Sequence, residues 1–127
     1  MSEIPGDRRY TKEHEWAKQD GGRVVVGITD YAQDQLGDVV FVRLPEVGSQ
    51  VTAGQPLGEV ESTKSVSDVY SPVTGTVVEA NGAVESNPEL LNEDPYEGGW
   101  LVAIDAGGGA TEGLMSADDY KALVESE

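Results

Sequence analysis

The sequence contains no cysteine and a single histidine, His14. Disulfides, thiolate metal sites and cysteine nucleophiles are therefore excluded. A zinc site normally needs more His or Cys than this chain holds, so no metal is expected. A Ser–His–Asp triad would have to use His14, and no G-x-S-x-G elbow accompanies it. P-loop, G-x-G-x-x-G and EF-hand patterns are also missing. Bases are scarce: 8 Lys and Arg stand against 24 Asp and Glu, a net charge of −16. That balance excludes nucleic-acid binding through phosphates and docking on an anionic membrane. No apolar run approaches the roughly 18 residues of a membrane span. The opening residues, MSEIPGDRRYTKEHEW, hold no apolar stretch and carry acids from Glu3 onward. Neither a secretory signal nor a transit peptide is visible there, and a cytoplasmic location is expected. A self-contained active site is not.

What remains is a globular chain. Its 127 residues are 38% hydrophobic and 25% charged, which suits one domain with a modest core. The acidity reads as a well-solvated surface. The sharper alternative is a salty cytoplasm, in which screening relieves self-repulsion.

Residues 1–22 read as a leading segment ending in a Gly-Gly turn. RVVVGIT (23–29) is β-branched and predicts a strand. TDYAQDQLGD predicts a short helix, capped by Thr29 and ended by Gly37. VVFVRLP (39–45) predicts a strand closed by Pro45. Short strands then alternate with Gly and Pro turns, the pattern of a small sandwich or barrel. ESNPELLNEDPYEGGW predicts one helical turn, with Asn87 as cap and Pro88 in its first position. WLVAID (100–105) is a further strand, and AGGGATEG (106–113) a flexible connector. Beyond it a C-terminal helix is expected within 114–127. Ser116 caps it, Asp118 and Asp119 lie in its first turn, and Tyr120, Leu123 and Val124 share one face.

Lys64 is one of four lysines in the chain. It falls between two strand-like stretches, PLGEVES (56–62) and VSDVYSP (66–72). A lysine at such a tip ordinarily discourages edge pairing. Here Ser62, Thr63 and Ser65 are small, so an approaching enzyme can reach the amine. Glu59, Glu61 and Asp68 place carboxylates nearby. An accessible lysine on a rigid hairpin suits covalent attachment of a carrier group.

Five blocks run in order along nearly the whole chain: YTKEHEW, VGITDYAQDQLGDVVFVRLPEVG, GEVESTKSVSDVYSPVTGTVVEAN, NPELLNEDPYEGGW and SADDYKALVESE. With them the chain resembles the H proteins of the glycine cleavage system. The lysine block alone also resembles lipoyl domains of 2-oxoacid dehydrogenases. Biotin carriers share the hairpin lysine but usually flank it with methionine, where this chain has Thr63 and Ser65.

The resemblance implies a mainly β fold, a lipoyl/biotinyl-type barrel-sandwich hybrid of two small antiparallel sheets with short helices and a C-terminal helix. It implies a single carrier domain over 1–127, with the β core in about 1–105. Lys64 corresponds to the lysine that carries lipoate in amide linkage. Glu15 and Asp68 correspond to residues lining a cleft that receives the loaded arm. There a carboxylate stabilises the cationic aminomethyl nitrogen, and shielding from water slows its loss. Glu61 corresponds to an acid read by attaching enzymes. Gly75 would serve close strand packing or a positive φ. His14 reads as a packing residue beside Trp16.

The implied partners are the pyridoxal-phosphate glycine decarboxylase, the tetrahydrofolate-dependent aminomethyltransferase, the FAD- and NAD-dependent dihydrolipoamide dehydrogenase, and a lipoate-attaching ligase or transferase. The chain would be a monomeric carrier and not an enzyme. Two alternatives stay open. One is a relay that passes lipoyl or octanoyl groups to other proteins. The other is a non-catalytic relative whose Lys64 stays unmodified or receives another acyl group.

Overall fold

The computed structural model describes residues 3–127. The chain opens with β1 (Arg9–Tyr10) and β2 (Glu15–Asp20), which turns at Gly21 (φ 63°) into β3 (Arg23–Ile28). Strand β3 forms from the β-branched run predicted for it. Gly27 is required there because a Cβ would overlap the Trp16 indole. Helix α1 (Asp30–Leu36) begins where the Thr29 hydroxyl accepts from the Ala32 amide at 3.1 Å. It ends at Gly37, whose φ of 81° suits glycine. Then come β4 (Val39–Arg43), β5 (Gln50–Val51), β6 (Pro56–Ser62), β7 (Val66–Tyr70) and β8 (Gly75–Ala80). Helices α2 (Gly82–Ser86) and α3 (Leu90–Glu93) lead to β9 (Val102–Asp105) and α4 (Ala117–Ser126).

The strands form two antiparallel sheets. One has six strands in the order β1-β2-β3-β9-β8-β5, the other three in the order β4-β6-β7. Val24, Val26, Val77 and Ile104 of the larger sheet share one buried core with Val42, Val60 and Val69 of the smaller. That burial is the main force holding the sheets face to face. The architecture is the barrel-sandwich hybrid expected, with short helices and a C-terminal helix.

A second cluster joins the ends of the chain. Tyr10, Trp16, Tyr96 and Tyr120 are all buried. Tyr10 and Tyr120 stack at 4.8 Å with planes 9° apart. The Arg8 guanidinium lies 4.6 Å from the Trp16 ring and donates to the Tyr96 carbonyl at 2.9 Å. Helix α4 starts at the expected cap, Ser116, which accepts from the Asp119 amide at 3.1 Å. Tyr120 then carries the helix onto the body of the protein.

Three expectations change. The leading segment is not merely an approach to the first strand, because it supplies β1 and β2 to the larger sheet. Helix α2 takes its cap from Asn81, in a stretch where only turn signals stood out. Asn87 does not cap the following helix. It ends α2, and α3 begins only at Leu90 with no side-chain cap.

Candidate functional site

Strands β6 and β7 form a hairpin with Thr63 and Lys64 at its tip. The Ser62 amide donates to the Ser65 carbonyl at 2.8 Å. The Ser62 hydroxyl accepts from the amides of both Lys64 and Ser65 at 3.1 Å. A buried serine thus holds the backbone of the tip from inside. The tip is also tied to the body, since the Thr63 amide donates to the Asp38 carbonyl at 3.1 Å.

Lys64 is exposed. Among the described residues its ammonium has no carboxylate within 4.0 Å. Its stem passes beside Gly37, where a Cβ would come within 3.1 Å of Lys64 Cε. The ground under the tip is fixed by Asn92 of α3. Its side-chain oxygen accepts from the Val39 amide at 2.9 Å. Its nitrogen donates to the Gly37 carbonyl at 2.9 Å and to Gln33 Oε1 at 3.0 Å.

Strand β7 is an edge of the smaller sheet. A cleft of about 430 Å³ runs along it, between β7, helix α1 and the start of β2. Ile28, Leu36, Val60 and Val69 give it apolar walls, and Glu13, Glu15, Asp68 and Glu127 give it carboxylates. Ser65, next to Lys64, is among the residues that line it.

Glu15 is 2% exposed. Its carboxylate accepts from Thr11 Oγ1 at 2.6 Å and from the Tyr70 amide at 3.2 Å. Burial pushes its pKa up to about 7, while both hydrogen bonds pull the other way. Asp68 is exposed, on the β7 side of the same cleft.

His14 has φ 72°, the one described non-glycine residue with a positive value. Its Nδ1 shares a 2.8 Å hydrogen bond with the Tyr120 hydroxyl, which is also 2.7 Å from Thr29 Oγ1. Its ring lies 4.9 Å from that of Tyr31, and Nε2 is 3.5 Å from the Glu127 carboxylate. The ring partners are therefore Tyr31 and Tyr120, whereas Trp16 packs with Tyr96 and Arg8.

The structure brings the Lys64 hairpin, Glu15 and Asp68 around one cleft. Glu61 lies on β6, opposite Phe41 and Val66. Gly75 is on the larger sheet, opposite Val51. Its φ is not positive, and a Cβ there would overlap the Asp105 carbonyl oxygen. Close strand packing is thus its requirement. Sequence reasoning missed Tyr31, Gln35, Leu36 and Glu127 as cleft residues. They arrive by tertiary packing of α1 and α4, which no local pattern announces.

Another cavity, of about 380 Å³, is lined by residues including Arg8, Trp16, Lys18, Arg23 and Trp100, and holds none of the predicted site residues. Its cations are paired: Arg8 and Lys18 with Asp7, and Arg23 with Glu79. Among the described residues no group of His, Asp and Glu could hold a metal ion. No described helix is long and apolar enough to cross a membrane.

Fold and site together define a lipoyl/biotinyl-type scaffold that presents one lysine on a hairpin turn. Residues 8–127 match the family model described as "Glycine cleavage H-protein". The glycine cleavage system H protein of Halalkalibacterium halodurans is 50% identical, with 100% of both chains covered. That of Mycolicibacterium vanbaalenii is 57% identical over 98% of each. The crystal structure of a glycine cleavage system H protein from Mycobacterium marinum superposes with a TM-score of 0.88. It is 45% identical and covers 96% of this chain and 99% of that one. The chain belongs to the glycine cleavage H-protein family.

Proposed function

We propose that this chain is the lipoyl carrier of a glycine cleavage system, a single cytoplasmic carrier domain and not itself an enzyme. Lys64 is the attachment point. The observation that carries this reading is one exposed lysine on a braced two-strand turn, beside a cleft with apolar walls and buried acid. Those residues fit a hydrocarbon arm that ends, when loaded, in a cation.

Lipoate in amide linkage on Lys64 would supply a dithiolane with the redox and group-carrying chemistry that the chain lacks, and the partners in this reading are the pyridoxal-phosphate glycine decarboxylase, the tetrahydrofolate-dependent aminomethyltransferase and the FAD- and NAD-dependent dihydrolipoamide dehydrogenase. The chain's own residues bind and protect. Ile28, Leu36, Val60 and Val69 exclude water from the arm. Glu15 and Asp68 receive the ammonium. An arriving cation favours the ionised form of Glu15 and draws its pKa down from about 7. The resulting ion pair is strong because Glu15 is out of bulk water. Glu61 is read by the attaching enzyme, and Gly75 keeps β8 close to β9.

Intact mass of the protein from its native host, beside a Lys64→Arg variant, tests the reading. A gain of one lipoyl group that the variant lacks supports it. An unmodified chain that accepts no lipoate from a competent ligase overturns it. A biotinyl gain would leave the hairpin right and the cofactor wrong.

A further inference from the structure

The turn between β1 and β2 is closed by backbone alone. The Thr11 amide donates to the Glu15 carbonyl at 3.0 Å, and the His14 amide donates to the Thr11 carbonyl at 3.1 Å. The Thr11 hydroxyl adds two bonds of its own. It accepts from the Glu15 amide at 3.2 Å and donates to Glu15 Oε1 at 2.6 Å. An amide can only donate, so it takes a lone pair of the hydroxyl and leaves the hydroxyl's proton for the carboxylate.

Glu15 has little else to keep it charged. Among the described residues no Lys, Arg or His nitrogen comes within 4.0 Å of it. Its other carboxylate oxygen, Oε2, accepts from the Tyr70 backbone amide. Thr11 is therefore its one side-chain donor among the described residues. The titratable groups around the cleft are Glu13 and His14 on the same turn, Tyr31 on α1, Asp68 on β7 and Glu127 after α4. Of these, the charge of Glu13 acts on Glu15, and together with burial it opposes ionisation. The Thr11 and Tyr70 bonds favour it.

We propose that Thr11 is a positioning residue for the cargo: its hydroxyl holds Glu15 in the ionised form that receives the aminomethyl ammonium. The inference deepens the carrier reading above and rests on it for the cargo. The hydroxyl can serve both states of Glu15. It donates to the carboxylate and, by rotating about its C–O bond, accepts from the acid. The bond to an ionised acceptor is the stronger of the two, so the hydroxyl tips Glu15 toward the anion. The turn has no need of the hydroxyl, since the two backbone bonds close it. Of the hydroxyl's two contacts, the one to the carboxylate is the shorter.

The first measurement uses the unmodified protein, labelled with carbon-13 at its glutamate side-chain carboxyls. NMR follows the Glu15 signal, identified by its absence in Glu15→Gln, from about pH 4 to 9. In Thr11→Val, which keeps the branched shape, the midpoint is expected about one unit above the parent's. Thr11→Ser, which keeps the hydroxyl, is expected to restore it. Thr11→Ala repeats the loss of the donor should valine disturb the turn, and thermal melting shows that each variant is folded. The second measurement times loss of the aminomethyl group from the loaded protein over the same pH range, by intact mass. The ratio of the Thr11→Val rate to the parent rate should rise severalfold within a window of pH. It should close again above that window, where Glu15 is ionised in both.

An unmoved midpoint in folded Thr11→Val and Thr11→Ala overturns the role of Thr11, whatever the chain carries. So does a rate ratio that is constant with pH, the mark of a purely structural part, and so does a serine variant that behaves as the valine one. A chain that accepts no lipoate fails the carrier reading, and with it the cargo, while the NMR midpoint still decides whether Thr11 governs Glu15.

Discussion

Glu15 and Tyr70 lie 55 positions apart and meet in one hydrogen bond, the Tyr70 amide donating to the Glu15 carboxylate at 3.2 Å. That bond ties β2 of the larger sheet to β7, the edge strand of the smaller.

The same burial makes Glu15 a pH-dependent liability. Its pKa is about 7 in the fold against 4.5 for the free carboxyl. Between these values the folded state binds more protons than the unfolded one, so stability falls as pH rises. The contribution is whole below about pH 4.5 and lost above 7, a span of roughly 3 kcal/mol. Glu15→Gln cannot titrate. The parent's unfolding free energy should decline by about that amount relative to the variant between pH 4.5 and 7.5. Urea titrations at a series of pH values measure it, and a constant difference would contradict the raised pKa.

Asp68 is exposed, and Asp68→Asn should leave stability within about 0.5 kcal/mol. In the carrier reading it should still hasten loss of the aminomethyl group from the loaded protein severalfold. Equal loss rates for variant and parent would remove Asp68 from the work of the cleft.

Asn92 braces the junction beneath the tip. In Asn92→Ala the Val39 amide and Gly37 carbonyl lose their partner, at a cost of about 2 kcal/mol. Hydrogen exchange should quicken most at the Thr63 amide, whose acceptor, Asp38, lies in that junction. Uniform quickening across both sheets would argue against a local brace.

Tyr120→Phe should lower stability by about 1–3 kcal/mol, because its hydroxyl meets both Thr29 and His14. Thermal melting reads this directly, and an unchanged midpoint would mean that the stack with Tyr10 alone holds α4.

Gly75→Ala forces a methyl onto the Asp105 carbonyl and should cost about 1–3 kcal/mol. A variant as stable as the parent would show that β8 can withdraw freely.

Much of this was legible in local chemistry. Thr29, Gly37 and Ser116 do at their helix ends what their side chains or lack of one dictate. The Lys64 hairpin was visible because serine and threonine interrupt two strand-like runs. Strand β2 was not, because Glu15, Trp16 and Ala17 are all buried and alternation disappears. Helix α2 hid behind Asn81-Gly82, which locally reads as a turn, and Asn87-Pro88 imitates a helix start while ending one. In the cleft, Asp68 is near Lys64 in sequence, but Glu127 reaches it only through the docking of α4. The depth of Glu15 could not be read at all, since an isolated glutamate defaults to solvent.

The serine-braced turn has a kinetic consequence. It fixes the origin from which any attached arm swings, and the cleft runs along a strand of the same hairpin. Leaving the cleft for a partner then requires rotation about single bonds of the arm, with no opening of the protein. Such torsions relax in picoseconds to nanoseconds when exposed. In the carrier reading, release from the cleft's contacts, rather than motion of the fold, would then set how quickly the cargo is presented.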